Sequence, residues 1–357
     1  MIHYYNYQPE SDQSDQQPDK KSGKKSRSNS SSDQHTASTP YKHPLKRFFK
    51  ILLVIMLVLL LIIGLVAAII YFYVTQGSID NTDGRTNIVF LGVDEAASLS
   101  DTIMIVSIDD IDGDPDVAMV SVPRDLWVDV PGFGGSKINA AYSIGERNQY
   151  PGGGPGLTRE TLESVLGIDI HYYSALGFDD FVALIDAAGG VEIEVENTIN
   201  DPRYPAPEGP GYSPLLIEAG TQHFDGETAL KYARSRQSTN DFDRAFRQQQ
   251  IVLALRDQVV SDGNLPQVQK ITNLITTLDA RVDTDMSRAE VLQLAATLRN
   301  TRPEDVPQYV IDTSNFLAGA QFDGSSLVPR TGNFDEIQSF VNDVFSQDTI
   351  DEYESMF

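Results

Sequence analysis

The chain has no cysteine among its 357 residues, which removes a thiolate nucleophile, a disulfide framework and any thiolate metal site at once. That absence suits an oxidising, extracytoplasmic setting. Histidine is almost as scarce: beyond residue 74 only His171 and His223 occur, at a spacing that suggests neither a metal pair nor a catalytic triad. Both are expected to be structural. Positive charge is the third shortage. Of 27 Lys and Arg and 51 Asp and Glu, residues 1–74 hold nine and five, which leaves 18 against 46 for the remainder. So acidic a surface repels polyanions, which disfavours nucleic acid as a partner and points instead to a small, deeply held phosphate.

Long apolar runs are also lacking, with one exception. Ile51 to Val74 carries no charge, and at about 1.5 Å per residue its 24 residues reach about 36 Å, more than a hydrocarbon core of roughly 30 Å. It is expected to be a transmembrane helix. Tyr71, Phe72 and Tyr73 occupy the place of a signal-peptide cleavage site and read as an interfacial aromatic belt. Lys42, Lys46, Arg47 and Lys50 precede the run, whereas Arg85 is the only basic residue in the twenty positions after it. The positive-inside asymmetry puts the N-terminus in the cytoplasm and the rest of the chain outside the cell membrane. Residues 1–50 are expected to be a disordered basic tail, 51–74 the membrane helix and 75–86 an extracellular tether. Residues 87–357 then form one large domain, with a helical C-terminal part from about 263.

Short β-rich runs ended by Gly, Asp or Pro predict strands at Asn87–Gly92, Thr102–Ile108, Val117–Val122 and Leu126–Val130. Predicted helices at Thr158–Leu166 and Phe178–Ala188 alternate with strands at Tyr172–Leu176 and Val191–Val195, which indicates an α/β sandwich. Further helices are expected at Asp225–Arg234, Asp241–Val260, Pro266–Leu278, Ser287–Leu298 and Asn333–Phe345, with a strand at Tyr309–Ile311. The helix from Asp241 is apolar on nearly every side and is expected to be buried. Gly152 to Gly156 lacks the GxxxxGK[ST] pattern and reads as a flexible turn, not a nucleotide loop.

Against the acidic background, Lys231, Arg234, Arg236, Arg244 and Arg247 fall within seventeen positions. Arginine's rigid donor fork matches phosphate oxygens. On a helix, Arg244, Arg247 and Gln248 stand at i, i+3 and i+4 and share one face, followed by Ile251 and Leu255. That apolar stripe reads equally as part of a lipid channel and as core. Structural ion pairs with the many carboxylates are the alternative reading of the arginines. At strand ends lie Asp94, then Ser100, Asp101 and Thr102, then Arg124 and Asp125. A pyrophosphate beside two carboxylates needs a bridging cation, and Mg²⁺, which takes one or two carboxylates and phosphate oxygens, is the natural one.

The segments NIVFLGVD, SDTIMIVSID, SVPRDLWVDVPGFGGSKINAAY, GVEIEV, GTQHFDGETALKYARSR and DFDRAFRQQQ, in this order after one apolar helix, resemble the LytR-CpsA-Psr family of cell-wall ligases. The resemblance runs from Asn87 to about Phe345. It implies a three-layer α/β/α sandwich with a mixed central sheet and a hydrophobic tunnel, and transfer of a glycopolymer from a polyprenyl-pyrophosphate carrier to peptidoglycan. It further implies magnesium at Asp94 and Asp101, and a pyrophosphate held by Arg124, Arg234, Arg236, Arg244, Arg247 and Gln248. Lys137 and Asn139 match a further motif, which adds Lys137 to the implied pyrophosphate-binding set. Asp101, Arg124 and Arg244 are the residues on which the resemblance places the catalytic work. One departure stands out: Glu95 and Ala96 follow Asp94 where the family commonly has an arginine, and only six residues separate the two aspartates. A lipid-pyrophosphate hydrolase and a non-catalytic, membrane-anchored binder of wall precursors use the same site and remain open. Loops such as Asn200–Pro214 are expected to set the polymer specificity.

Overall fold

The computed structural model describes residues 52–65, 79, 84–94, 99–109, 115–206, 211–236, 241–260, 274, 276–277, 280–299 and 301–356. The chain divides into two compact units, Met1–Ile62 and Ile63–Phe357. A helix covers residues 52–65, and its large apolar side chains are all exposed, Leu61 at 72%. Among the described residues no helix is long and apolar enough to cross a membrane. The rest of the predicted 51–74 span, the 1–50 tail, most of the tether and most of the predicted Pro266–Leu278 helix lie outside the described residues.

In chain order the second unit contains strands β1 (Arg85–Val93), β2 (Ser100–Asp109), β3 (Asp116–Ser121), β4 (Trp127–Val130) and β5 (Gly134–Lys137). Helices α1 (Ala140–Arg147) and α2 (Gly153–Leu166) follow, then β6 (Tyr172–Leu176), α3 (Phe178–Ala188), β7 (Val191–Val195), β8 (Ile199–Asp201), β9 (Leu215–Ile217) and β10 (Gly220–Phe224). Next come α4 (Gly226–Arg234), α5 (Asp241–Val260), β11 (Asp283–Thr284), α6 (Arg288–Thr297), β12 (Gln308–Val310), β13 (Leu317–Gly319), β14 (Leu327–Pro329), α7 (Asp335–Asn342) and α8 (Gln347–Glu354). The central sheet has the order β11-β6-β1-β2-β3-β12 and is mixed: β1–β6 and β3–β12 run parallel, whereas β1–β2, β2–β3 and β6–β11 run antiparallel.

Side chains alternate across a strand, so a sheet covered on both faces needs apolar residues at nearly every position. β1 and β2 satisfy this. Val89, Leu91, Ile103 and Ile105 point to one face, against Leu157 and Leu162 of α2 and Phe340 and Val341 of α7. Ile88, Met104 and Val106 point to the other and are buried there beneath Val252 and Leu253 of α5 and Leu294 of α6, which are themselves only half-buried. The result is the expected α/β fold with a mixed central sheet. At the end of β1 the pairing shifts from Gly92↔Thr102 to Val93↔Ser100, a bulge that ends the ladder between Asp94 and Asp101.

Several expectations need correction. The strand expected at Leu126–Val130 forms over Trp127–Val130 but lies outside the central sheet: β4 pairs with β5 as a separate hairpin, which the sequence reading missed along with α1. β7 likewise leaves the central sheet and pairs with β10. After residue 263, β12 forms where a strand is expected and completes the sheet, whereas the β13–β14 hairpin has no counterpart in the sequence reading. The Gly152–Gly156 stretch is no flexible turn either: α2 starts at Gly153, and Gly154, Pro155 and Gly156 are buried. The reason is close packing. A Cβ on Gly154 would lie 2.6 Å from the carbonyl oxygen of Tyr142 in α1. Gly154→Ala is therefore expected to cost about 1–3 kcal/mol of stability through overpacking, read as a lowered urea midpoint at unchanged slope.

Candidate functional site

The arginine island is assembled where α4 ends and α5 begins. Asp225 caps α4 by accepting from the Thr228 amide at 2.8 Å. Lys231, in the last turn, faces solvent near Glu227 at 3.9 Å and does not join the site. Arg234 stacks over the Phe178 ring at 4.1 Å and lies 6.0 Å from that of Tyr204. Beyond it, Arg236 turns back toward the sheet, its Nη2 3.9 Å from Asp101 Oδ2.

α5 reverses the usual pattern of burial. Its apolar residues Val252, Leu253 and Leu255 are half-buried, whereas Arg244 and Arg247 are 8% and 6% exposed. The expected buried apolar helix is thus buried chiefly at its polar end. Arg247 Nη2 donates to the Ser235 carbonyl, and its guanidinium lies 5.6 Å from the Tyr232 ring centroid. Burial pulls the Arg247 pKa below its ordinary value. Its Nε and Nη1 are buried with no hydrogen-bond partner among the described residues, which also provide no carboxylate within ion-pair distance. Burial pushes the Tyr232 phenol up to about 12, so it stays a neutral donor to Gln250, at 2.7 Å. Gln248 reaches the Ala233 carbonyl at 3.4 Å. Ile251 belongs to the core beside Ala229 and Tyr232, which decides the stripe as core packing at that position.

From the sheet side, Arg124 follows β3 and places Nη1 2.9 Å from Asp101 Oδ1. Asp101 thus lies between Arg124 and Arg236, three residues far apart in sequence. Asp94 sits at the neighbouring strand end and accepts from the Leu99 amide at 3.3 Å. The Ser100 hydroxyl beside Asp101 is fully buried with no hydrogen-bond partner among the described residues. Two carboxylates and a hydroxyl on adjacent strand ends are hard oxygen donors of the kind Mg²⁺ takes when phosphate oxygens complete its shell. Among the described residues there is no group of three or more carboxylate or histidine side chains that could hold a metal alone. The two histidines beyond residue 74 are placed elsewhere: His171 Nδ1 accepts from the Asn87 amide at 3.1 Å and His223 pairs with Glu192 at 2.7 Å.

Lys137 joins the site one step removed, with Nζ 2.7 Å from Asp125 Oδ1, while Asp125 Oδ2 lies 3.6 Å from Arg124 Nε. Asn139 is buried and holds α1's start to the strand ends, its amide donating to the Arg124 carbonyl and its carbonyl accepting from the Ser100 amide, both at 3.3 Å. A cavity of about 510 Å³ opens between Arg124, Asp125, Trp127 and Lys137.

Sequence reasoning missed Asp201. It is 2% exposed and accepts from the Ser235 hydroxyl at 2.9 Å and from the Arg236 and Arg203 amides at 3.1 and 3.0 Å. It fixes the loop that carries Arg236. No local pattern marks it, because its partners are either adjacent in the loop or brought there by the fold. Asp201→Ala leaves the Ser235 hydroxyl and the Arg236 amide without their acceptor and is expected to cost about 2–3 kcal/mol, measured by chemical denaturation.

Comparisons with known proteins agree with this geometry. The chain is 30% identical over 276 residues to the Regulatory protein MsrR of Staphylococcus aureus (strain COL), covering 75% of this chain and 77% of that protein. It is 32% identical over 211 residues to the Polyisoprenyl-teichoic acid--peptidoglycan teichoic acid transferase TagU of Oceanobacillus iheyensis, covering 58% of this chain and 61% of that one. The crystal structure of B. subtilis TagV superposes with a TM-score of 0.59 at 27% identity, covering 75% of this chain and 97% of that one. A family model, the LytR_cpsA_psr family, matches residues 70–340. That match takes in the central sheet, both strand-end aspartates and the two arginine-bearing helices, and the chain belongs to the LytR_cpsA_psr family.

Proposed function

We propose that this chain transfers a glycopolymer from a polyprenyl-pyrophosphate carrier to peptidoglycan, leaving a phosphodiester link and releasing polyprenyl phosphate. The observation that carries this reading is the buried Arg247, with two nitrogens lacking a hydrogen-bond partner among the described residues. A buried cation is costly unless an anion completes its coordination, and a pyrophosphate meets that need. Arg244, Arg247 and Gln248 form one wall, Arg124 and Arg236 the other, and Arg234 stands beside them on Phe178.

A peptidoglycan hydroxyl attacks the phosphorus nearer the glycan, and the bond from that phosphorus to the bridging oxygen breaks as polyprenyl phosphate leaves. The arginines absorb the charge that develops on the phosphate oxygens, and a carboxylate at the strand ends takes the hydroxyl proton. Asp94 and Asp101 would hold Mg²⁺, which when bound supplies further positive charge at the phosphate oxygens. The half-buried apolar residues Phe90, Val252, Leu253 and Leu294 suit a polyprenyl chain better than solvent. In this reading residues 51–74 anchor the chain in the cell membrane, with the N-terminus in the cytoplasm and the domain outside. The exposed apolar helix at 52–65 supports it.

The full chain in detergent, given Mg²⁺, a polyprenyl-pyrophosphate-linked oligosaccharide and a peptidoglycan oligomer, is expected to yield the joined product by mass. Lipid phosphate release without joining would make the chain a hydrolase. Lipid binding without turnover would make it a binder.

A further inference from the structure

Trp127 is the only tryptophan in the chain, and it is half-buried at the edge of the 510 Å³ cavity beside the arginine site. Its indole lies on the β4–β5 hairpin, where Gly135 makes room: a Cβ there would sit 3.0 Å from Trp127 Cζ2. The Phe322 ring meets the indole edge-on at a centroid distance of 4.9 Å and is 61% exposed. The loop that carries Phe322 is rigidly built. Asp323 accepts from the amides of Ser325 and Ser326 at 2.9 and 2.8 Å and from the Ser326 hydroxyl at 2.6 Å. Lys137 Nζ ties this loop to the cavity wall through the Ser325 carbonyl at 3.3 Å, and also pairs with Asp125 at 2.7 Å.

The cavity thus joins the indole to a charged wall in which Asp125 pairs with both Lys137 and Arg124. A second phosphate would have to compete with Asp125, which already engages both of these cations. A pyranose ring meets both halves: its C–H face packs on an indole, and its edge hydroxyls take a charged donor and a charged acceptor. The volume lies within the ~300–1,000 Å³ range of small-ligand clefts. We propose that Trp127, Asp125 and Lys137, with Phe322 at the lip, form a saccharide subsite that seats one sugar ring beside the arginine site. Its role in transfer rests on reading that site as a pyrophosphate site. The ring belongs either to the donor glycan or to the acceptor.

Because Trp127 is the sole tryptophan, its emission reports occupancy directly. In the full chain in detergent, a soluble peptidoglycan disaccharide or the lipid-linked oligosaccharide is expected to shift that emission, whereas sugar-free polyprenyl pyrophosphate leaves it unchanged. Trp127→Ala and Phe322→Ala are expected to raise KM about tenfold for the substrate whose sugar is seated. Trp127→Phe restores most of the loss. A rise confined to the lipid-linked oligosaccharide assigns the subsite to the donor, and one confined to peptidoglycan assigns it to the acceptor. No emission shift with either sugar, or an equal loss of affinity for the sugar-free lipid, overturns the proposal. A saccharide-induced shift in a protein that does not bind polyprenyl pyrophosphate would sustain the subsite and overturn the pyrophosphate reading instead.

Discussion

Arg247→Met is expected to lower glycopolymer transfer by about 10²–10³-fold while leaving the folded protein as stable as before, or more stable by up to about 2 kcal/mol. The physical basis is the environment of this guanidinium. It is 6% exposed, and two of its nitrogens have no hydrogen-bond partner among the described residues. Methionine fills similar volume without a charge to desolvate, so the cost of the buried cation disappears with its function. The side chain does give up its bond to the Ser235 carbonyl and its contact with Tyr232, which limits the gain. Urea denaturation and the transfer assay together check the point. Wild-type protein should also gain stability on adding lipid pyrophosphate, and the variant should not. A variant that loses several kcal/mol would make Arg247 a structural arginine, as the ion-pair alternative requires.

Asp101→Asn is expected to reduce transfer by about 10³-fold with the fold intact, because the exchange keeps shape and removes one charge. Asp101 is where the two halves of the site meet, 2.9 Å from Arg124 and 3.9 Å from Arg236. Its side chain is 30% exposed, so the change strands no deeply buried group. With Asp94 it is also the proposed seat of Mg²⁺, and the variant should no longer show Mg²⁺-dependent stabilisation by the lipid substrate, read as a shift in Tm. Lipid binding retained, with transfer unchanged from wild type, would remove Asp101 from the chemistry.

Periodicity alone located most of the central sheet and the long helices, because a strand covered on both faces must be apolar throughout, as β1, β2 and β3 are. It failed where pairing partners are distant. Val191–Val195 and Leu126–Val130 have strand texture, yet neither joins the main sheet, since alternation records burial and not the identity of the neighbouring strand. The glycines of 152–156 have turn composition, yet Gly153, Gly154 and Gly156 open a helix whose close approach to the Tyr142 carbonyl leaves no room for a Cβ on Gly154.

For the site, the charge anomaly at 231–247 and the helical spacing of Arg244, Arg247 and Gln248 were readable from the chain, because composition and i, i+3, i+4 geometry are local properties. So were the strand-end aspartates. The fold alone decided that Arg124 and Arg236 bracket Asp101, that Lys231 faces solvent near Glu227, and that Asp201 holds the loop bearing Arg236. It alone set Trp127 beside Phe322, 195 positions later. Residue types and short spacings determine which chemistry a chain can offer. Which groups share a carboxylate, and which arginine is buried with nitrogens that no hydrogen-bond partner among the described residues meets, depends on long-range packing that no local pattern encodes.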